Sequence, residues 1–191
     1  MCVIIFSEKG THIGKKELFR AWMANPDGAG FAVQTGGEVL YRKGFMDFHS
    51  FYKAFEKWDD SKYTVAVHFR ITSRGRTTKE QTHPFKAGAP NTLYKATAQP
   101  VFFMNGTIWD IVEKEDLNDT ASFIEKFKHA LTPSVDCANL LEYATGAKWL
   151  IFAPDSVFFS SGFVEYGGLW YSNLYHKKSF FDEEGEEIYI Y

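Results

Sequence analysis

Cysteine and proline are scarce in this 191-residue sequence, which has 2 Cys and 6 Pro. Cys2 and Cys137 are too few for the disulfide framework of a small secreted domain, and we expect both thiols to be reduced. Apolar runs are also short, since residues 149–153 fall well below the roughly 20 apolar residues that span a bilayer. The apolar stretch at 2–6 is too short for the core of a secretion signal, so we expect a soluble, cytoplasmic protein without membrane contacts.

An excess of positive charge is missing as well, because the net charge is −3 and the isoelectric point is about 6.1. A strongly basic surface is the usual electrostatic feature of nucleic-acid binders, so we expect no nucleic-acid partner. The one basic cluster consists of Arg70, Arg74, Arg76 and Lys79. That cluster is compatible with a solvated loop and equally with a site for an anionic ligand.

Motifs of several common enzyme classes are absent. The sequence contains no Gly-x-Ser-x-Gly elbow, no glycine-rich phosphate loop and no Cys/His spacing of a metal site. We therefore expect neither a metal ion nor another cofactor.

Aromatic residues, by contrast, are abundant, at 18% of the chain within an apolar share of 45%. This composition is far from that of disordered chains. A chain of this length buries roughly 70% of its unfolded surface in one core, so we expect a single domain over residues 1–191.

Periodicity and turn signals predict four helices and a larger number of short strands. The helices are expected at residues 15–24, 48–58, 118–131 (or 119–131) and 134–143. The strands are expected at residues 2–6, 30–34, 38–42, 63–70, 101–104, 147–153, 156–160, 168–171, 179–181 and 188–191. Turn signals join 30–34 to 38–42 in a hairpin and pair the last strands in antiparallel hairpins, with the acidic run 182–187 as a solvated turn.

The strand at 63–70 alternates, which places His68 and Arg70 on the same face. Residues 71–99 are predicted to form a long polar loop, of the kind that is functional or mobile in compact domains. We expect His83, within this loop, to be a surface histidine.

Cys2 directly follows the initiator methionine, on an apolar strand where a small thiol is ordinarily a core residue. Removal of Met1 would give Cys2 a free α-amino group with a pKa near ~8. That amine could take the thiol proton directly or through a water, so one residue would supply nucleophile and base. With Met1 attached, the nitrogen of Cys2 is an amide and cannot act as a base.

Asn105 and Gly106 follow a predicted strand. Both residue types tolerate positive φ and are typical of a tight turn. The alternative is an oxyanion hole, in which the Asn105 side-chain amide and the Gly106 backbone N–H donate to the oxygen of a tetrahedral intermediate.

Arg70 and Asp119 are candidates for holding the charged groups of a ligand. Arg70 could clamp a carboxylate through two parallel hydrogen bonds, or form a surface ion pair. Asp119, at a predicted helix start, is first of all an N-cap and could otherwise accept a hydrogen bond from a ligand ammonium group.

Five segments occur in an order that resembles the motifs of class II glutamine amidotransferases. They are Met1-Cys2-Val3-Ile4, Asp27-Gly28-Ala29-Gly30-Phe31-Ala32-Val33, His68-Phe69-Arg70-Ile71-Thr72-Ser73-Arg74-Gly75, Asn105-Gly106 and Asn118-Asp119-Thr120. The resemblance covers residues 2 to about 125. It implies an α+β chain folded as the four-layer αββα sandwich of two antiparallel sheets found in N-terminal nucleophile (Ntn) hydrolases.

The resemblance also implies the roles of the candidate residues. Cys2 would be the nucleophile, and Asn105 with Gly106 the oxyanion hole. Arg70, Asp119 and Ser73 would bind substrate, with Arg70 on the α-carboxylate and Asp119 on the α-amino group of glutamine. The implied reaction is glutamine amide hydrolysis through a γ-glutamyl thioester, with ammonia passed to a separate acceptor synthase.

Two departures from the family pattern bear on the substrate. The family usually has a Trp-Ala-Thr-His-Gly type segment where this chain has Ile71-Thr72-Ser73-Arg74-Gly75, and it commonly has His where this chain has Met104. Three hypotheses therefore stay open: a glutaminase, an Ntn hydrolase acting on another amide or peptide bond, and a non-catalytic binding module on the same fold.

Overall fold

A computed structural model describes residues 1–58, 62–73, 75–112, 114 and 116–177, together with the backbone of 180–181 and 187–188. Arg74 of the basic cluster lies outside these residues. So do most of the predicted terminal strands at 179–181 and 188–191 and most of the acidic run between them. The backbone that is described there pairs Phe180–Phe181 with Glu187–Ile188 in antiparallel orientation.

Within the described residues the chain forms four helices and thirteen strands. The helices are α1 (Lys15–Ala24), α2 (Phe48–Phe55), α3 (Asp119–Phe127) and α4 (Val135–Thr145). The strands are β1 (Val3–Ser7), β2 (Ala29–Gln34), β3 (Val39–Phe45), β4 (Val65–Phe69), β5 (Phe85–Lys86), β6 (Tyr94–Thr97), β7 (Val101–Asn105), β8 (Lys148–Phe152), β9 (Val157–Phe159), β10 (Val164–Tyr166), β11 (Leu169–Tyr171), β12 (Phe180–Phe181) and β13 (Glu187–Ile188).

Two sheets organise the domain. The larger has seven strands in the order β10-β11-β1-β4-β2-β3-β6, and the smaller has four in the order β5-β7-β8-β9. Every pairing in both sheets is antiparallel. The implied α+β class with two antiparallel sheets is thereby confirmed.

Side-chain caps fix where three of the helices begin. Asp47 accepts a hydrogen bond from the Ser50 N–H at 2.8 Å and starts α2. Asn118 accepts from the Ala121 N–H at 2.9 Å and starts α3, and Ser134 accepts from the Cys137 N–H at 3.1 Å and starts α4. Each cap satisfies a donor that the first helical turn leaves open.

Two helices end earlier than their apolar spacing predicts. After α2, the Trp58 N–H donates to the Phe55 carbonyl at 2.7 Å, and after α3 the Ala130 N–H donates to the Phe127 carbonyl at 2.8 Å. Such i to i+3 bonds tighten the chain beyond the last regular turn. Trp58 still packs against the core in this turn, which explains why the apolar pattern continues past the helix.

The prediction of a long polar loop over residues 71–99 is wrong in part. This segment contains β5 and β6 and a short 3-10 turn at Lys79–Gln81. β6 pairs with β3 and β5 with β7, so each sheet gains an edge strand from it. The edge strand of a sheet has backbone N–H and C=O groups without hydrogen-bond partners. A short segment can pair with these groups even if its own sequence has no apolar alternation.

The strand β10 was not predicted. All three of its residues are exposed, so the alternation that marks a half-buried strand is absent.

Three apolar clusters pack the elements together. The first joins the seven-stranded sheet to α1 and α2, through residues such as Ile5, Leu18, Phe31, Phe51 and Val67. The second joins the four-stranded sheet to α3 and α4, through residues such as Phe102, Ile124, Leu141 and Trp149. The third joins the two sheets, through residues such as Ile4, Tyr41, Ala66, Phe103 and Leu150.

Among the described residues, no helix is both long enough and apolar enough to cross a membrane.

Strand β4 contributes to two clusters, with Val65 and Val67 in the first and Ala66 in the third. This confirms the predicted alternation of the strand, and it places His68 and Arg70 on the side that faces the other sheet.

Candidate active site

Cys2 directly precedes β1 and lies beside the end of β4, because Val3 pairs with Phe69. The thiol donates to the Ile71 carbonyl and accepts from the Ile71 N–H, both at 3.4 Å. Burial raises the pKa of the Cys2 thiol, and this outweighs the opposing effects of the Ile71 hydrogen bond and the Arg70 charge. The side chain is therefore a neutral thiol at neutral pH, and it needs a base to become a nucleophile.

Arg70 follows β4 directly and is held by its own backbone. Its N–H donates to the Gly28 carbonyl at 2.8 Å, and its carbonyl accepts from the Asp27 N–H at 2.9 Å. The residue is only 4% exposed, so the alternative of a surface ion pair is wrong.

The Arg70 guanidinium is close to three candidate or neighbouring polar groups. Burial lowers the pKa of Arg70, and the nearby Cys2, Asp27 and Asp119 oppose that effect. Its Nη1 donates to the Arg76 carbonyl at 3.0 Å. The fold thus places a buried guanidinium, which stays charged in proteins, within electrostatic reach of both the thiol and the Asp119 carboxylate.

Asp119 is the first residue of α3 but not its cap. Asn118 caps the helix, so the expectation that Asp119 is first of all an N-cap is wrong. The Asp119 side chain is buried, and its Oδ2 accepts from the Ile108 N–H at 2.7 Å. Because Asn118 caps α3, the Asp119 carboxylate does not have to cap the helix. It hydrogen-bonds instead to the loop that follows Gly106, and it lies close enough to Arg70 to affect the pKa of that residue.

Asn105 ends β7 in the smaller sheet and is linked to β1 through one hydroxyl. Its Nδ2 donates to Ser172 Oγ at 2.9 Å, and the Ile4 N–H donates to the same oxygen at 2.9 Å. The Oδ1 of Asn105 is buried without a hydrogen-bond partner among the described residues. Asn105 is therefore linked through Ser172 to Ile4, which lies two residues after Cys2.

Gly106 is required by packing as well as by backbone conformation. It has a φ of +155°, and a Cβ built on it would lie 2.5 Å from the Ala147 Cβ and 2.9 Å from the Ala147 Cα. A side chain at this position would push β7 away from the segment that precedes β8.

Ser73 connects the loop after Arg70 to the loop after Gly106. Its hydroxyl is 2.8 Å from the Thr107 hydroxyl, and the side chain is exposed. The same loop is anchored at its start, where the Thr72 N–H donates to Asp27 Oδ2 at 2.7 Å. Ser73 thus lies at the rim of the candidate site, next to the predicted oxyanion residues.

Sequence reasoning missed Ser172 and Asn173. Besides the bonds of Ser172 described above, Asn173 Nδ2 donates to the Cys2 carbonyl at 2.7 Å, and Lys148 Nζ donates to the Ser172 carbonyl at 2.7 Å. The sequence predicts a strand at 168–171, but it carries no signal that this strand pairs with β1 and so brings the next two residues close to Cys2.

The expectation that His83 is a surface histidine is also wrong, because it is 3% exposed and its ring packs against that of His68 in a tilted arrangement, with ring centroids 4.1 Å apart. No ring nitrogen of either residue has a hydrogen-bond partner of good geometry among the described residues. Burial lowers the pKa of His68 to about 3, with the Arg70 charge acting in the same direction and the Met104 backbone opposing it. Burial also lowers the pKa of His83 well below its usual range, so both rings are neutral at neutral pH.

Gly28 and Gly30 make room for the loop that carries His83. A Cβ on Gly30 would lie 2.0 Å from the His83 carbonyl oxygen, and a Cβ on Gly28 would lie 2.6 Å from the Thr82 Cγ2. Loop and strand are therefore in direct backbone contact behind the candidate site.

A comparison with protein-family models and with curated protein sequences finds no match to this chain. In the part of the chain that the structure describes, no group of three or more His, Cys, Asp or Glu side chains is placed to share a metal ion. The assignment of function therefore depends on the geometry of the residues described above.

Proposed function

We propose that this chain is an Ntn-type amidohydrolase of the class II glutamine amidotransferase kind, with processed Cys2 as its nucleophile. The observation that carries the proposal is the convergence of Cys2, Arg70 and Asp119. The Cys2 thiol hydrogen-bonds the backbone of Ile71, the residue after Arg70, and Cys2 and Asp119 both lie near enough to the buried guanidinium to oppose the lowering of the Arg70 pKa by burial. A thiol near a buried cation and a buried anion suits an α-amino acid whose side chain bears the reacting amide.

The packing of the elements supports the corresponding fold. One cluster lies between α1, α2 and the larger sheet, one lies between the two sheets, and one lies between the smaller sheet and α3, α4. We propose that this order is the four-layer αββα sandwich of the Ntn hydrolases.

The chemistry begins with removal of Met1, which is 67% exposed and therefore accessible to a peptidase. The freed α-amino group of Cys2 takes the proton from the thiol, and Sγ attacks the carbonyl carbon of the glutamine side-chain amide. The C–N bond then breaks, and the proton leaves with the nitrogen as ammonia. Water then attacks the carbonyl carbon of the γ-glutamyl thioester, the C–S bond breaks and glutamate leaves. The oxygen of the water stays in the new carboxyl group, and one of its protons returns to Sγ.

Asn105 and Gly106 would stabilise the oxyanion that forms in both attacks. In the structure the Asn105 Nδ2 is bonded to Ser172, and its Oδ1 has no partner among the described residues. Rotation of the amide by 180° would let the Ser172 hydroxyl donate to Oδ1 and would free Nδ2 as a donor. The orphaned oxygen is thus the feature that supports the oxyanion role.

Arg70 would bind the α-carboxylate and Asp119 the α-ammonium group of the substrate. Both side chains are buried, so their charges act in a medium of low dielectric constant. Ammonia would then pass to a separate synthase, which makes an acceptor protein the expected partner.

The second candidate is hydrolysis of a different amide or peptide bond by the same nucleophile. It is favoured by the altered segment at residues 71–75, because this loop contacts both Cys2, through Ile71, and Thr107, through Ser73. Comparing glutamine with other γ-glutamyl amides and with acyl amides separates the two candidates.

Ammonia release tests the proposal, with Cys137 as a matched thiol. Both cysteines are free and half-buried, but Cys137 lies on α4. We expect Cys2→Ala to lower ammonia release from glutamine to background and Cys137→Ala to leave the rate unchanged. Full ammonia release by the Cys2→Ala protein would exclude Cys2 as the nucleophile. Processed wild-type protein that hydrolyses none of these amides would favour the non-catalytic binding module.

A further inference from the structure

A polar cavity of about 570 Å³ lies next to the candidate active site. One wall is formed within residues 75–81 and the other within residues 114–118, and Asn91 completes the lining. This volume falls in the range of small-molecule sites, roughly 300–1,000 Å³. Cys2, Arg70 and Asp119 do not line it, so the proposed reaction leaves this cavity without a role.

Gln81 joins the two walls. Its Nε2 donates to the Asp116 carbonyl and its Oε1 accepts from the Asn118 N–H. Gln81 itself is buried, and its backbone carbonyl accepts from Asn118 Nδ2 at 3.3 Å. These bonds set the spacing of the walls before any ligand binds.

Two wall residues connect the cavity to the residues that would bind substrate. The Arg76 carbonyl accepts from Arg70 Nη1 at 3.0 Å, and Asn118 caps the helix that begins with Asp119. A ligand group held between Arg70 and Asp119 therefore has the cavity on the side of Arg76 and Asn118.

The lining carries charges of both signs. Arg76 and Lys114 contribute two cations, and Glu80 and Asp116 contribute two anions. Among the residues that the structure describes, none of these four side chains takes part in a salt bridge. The two cations are therefore available to a carboxylate, and Leu117 alone supplies an apolar side chain to the lining.

We propose that this cavity is a subsite for the part of the substrate beyond the α-carboxyl carbon. The substrate class would then be a glutamine joined through its α-carboxyl group to a further residue that bears a carboxylate. In such a molecule Arg70 donates to the peptide carbonyl, and Asp119 still holds the α-ammonium group. The terminal carboxylate reaches Arg76 and Lys114. This inference rests on the proposed function.

Calorimetric titration of the Cys2→Ala protein tests the subsite without turnover. The probes are L-glutamine, glutaminyl-glycine and glutaminyl-glycinamide, of which the last lacks the terminal carboxylate. We expect the Kd of glutaminyl-glycine to be at least ~10-fold lower than that of glutaminyl-glycinamide, because hydrogen bonds between a carboxylate and a cation are charge-assisted. The variants Arg76→Met and Lys114→Met, alone and combined, should reduce this preference, whereas Lys128→Met on the exposed end of α3 should preserve it.

Three results would overturn the subsite: glutaminyl-glycine that binds no more tightly than glutaminyl-glycinamide, a preference that survives in the combined variant, or no binding of any probe. The Arg76 and Lys114 side chains have no hydrogen bond among those described for the cavity walls, and a melting temperature near that of the parent protein confirms folding of each variant. Labelling of Cys2 by a glutamine analogue decides the proposed function independently, so the two failures are distinguishable.

Discussion

At the scale of single residues, the candidate chemistry depends on polar groups that are buried. Arg70, Asn105 and Asp119 are each at most 6% exposed, and only Cys2 among the four is half-buried. Burial raises the pKa of the Cys2 thiol, so its deprotonation requires the α-amino group that is freed when Met1 is removed. Activity should therefore depend on processing of the N-terminus as strictly as on the thiol itself.

Substitution of Asn105 tests the oxyanion donor. We expect Asn105→Ala to lower kcat by ~10²–10³ with little change in KM, because the amide acts on charge that develops in the transition state. Steady-state kinetics of processed protein, with circular dichroism to confirm folding, make the measurement. The matched control is Ala substitution of Asn139, an exposed residue of α4 whose Oδ1 accepts a hydrogen bond from the Ser161 N–H, and it should leave kcat unchanged. An unchanged kcat in Asn105→Ala would remove this residue from the site.

At the scale of elements, the loop that carries His83 packs on β2 and β4 and makes folding sensitive to acid. The unfolded chain protonates its histidines near pH ~6.5, whereas the folded pKa of His68 is about 3. The unfolded state therefore binds more protons below pH ~6.5, and the free energy of unfolding falls as pH drops toward 3.

We expect this loss to reach about 1.4 kcal/mol per pH unit for each buried histidine. Urea denaturation of wild type and His83→Phe between pH 7 and 4 measures it. The variant should show a shallower fall, because one neutral imidazole is gone, and the exposed His49→Gln should follow the wild type. Parallel curves for wild type and His83→Phe would show that His83 is not held neutral.

The close contact between β2 and the loop at His83 should make the stability of the protein sensitive to any side chain at residue 30. Gly30→Ala should destabilise the protein by about 3 kcal/mol, because the new Cβ would lie 2.0 Å from a backbone oxygen that cannot rotate away. Gly14→Ala is the control, since nothing lies within 4 Å of a Cβ at that position. Chemical denaturation compares the two, and equal midpoints would show that the loop does not sit against β2.

Local signals were enough for elements that carry their own periodicity and caps. The helix at 15–24 was predicted with its observed limits, and the hairpin of β2 and β3 follows from its apolar runs and its Gly36-Gly37 turn. The strands β5 and β6 carry no such pattern, because they form only by pairing with the open edges of β7 and β3. Edge pairing is a tertiary event, and no local sequence signal specifies it.

At the scale of the whole molecule, the candidate site lies where both sheets end. Cys2 precedes β1 and Arg70 follows β4 in the larger sheet, while Asn105 ends β7 in the smaller one. Ser172 bridges the two sheets by accepting from Ile4 and from Asn105. The geometry of the site therefore depends on the apolar cluster between the sheets.

The sequence predicts the site residues that lie in local motifs, but not those that are placed by the pairing of distant segments. The ordered motifs named Cys2, Arg70, Asn105 and Asp119, which the fold brings to one region. Ser172 and Asn173 were not predicted, because their roles come from the pairing of β1 with β11, two strands that lie far apart in the sequence. The burial of His83 was not predicted for a similar reason, since it depends on the close approach of the His83 backbone to Gly30 on β2.

The most direct test of the central claim is the intact mass of freshly purified protein before and after exposure to a diazo-ketone analogue of glutamine. We predict loss of Met1 and a single covalent adduct that maps to Cys2. Adduct formation should be absent in the Cys2→Ala protein and preserved in Cys137→Ala. Processed protein that forms no adduct at Cys2, or an adduct that maps to Cys137, would contradict a glutamine-recognising N-terminal nucleophile.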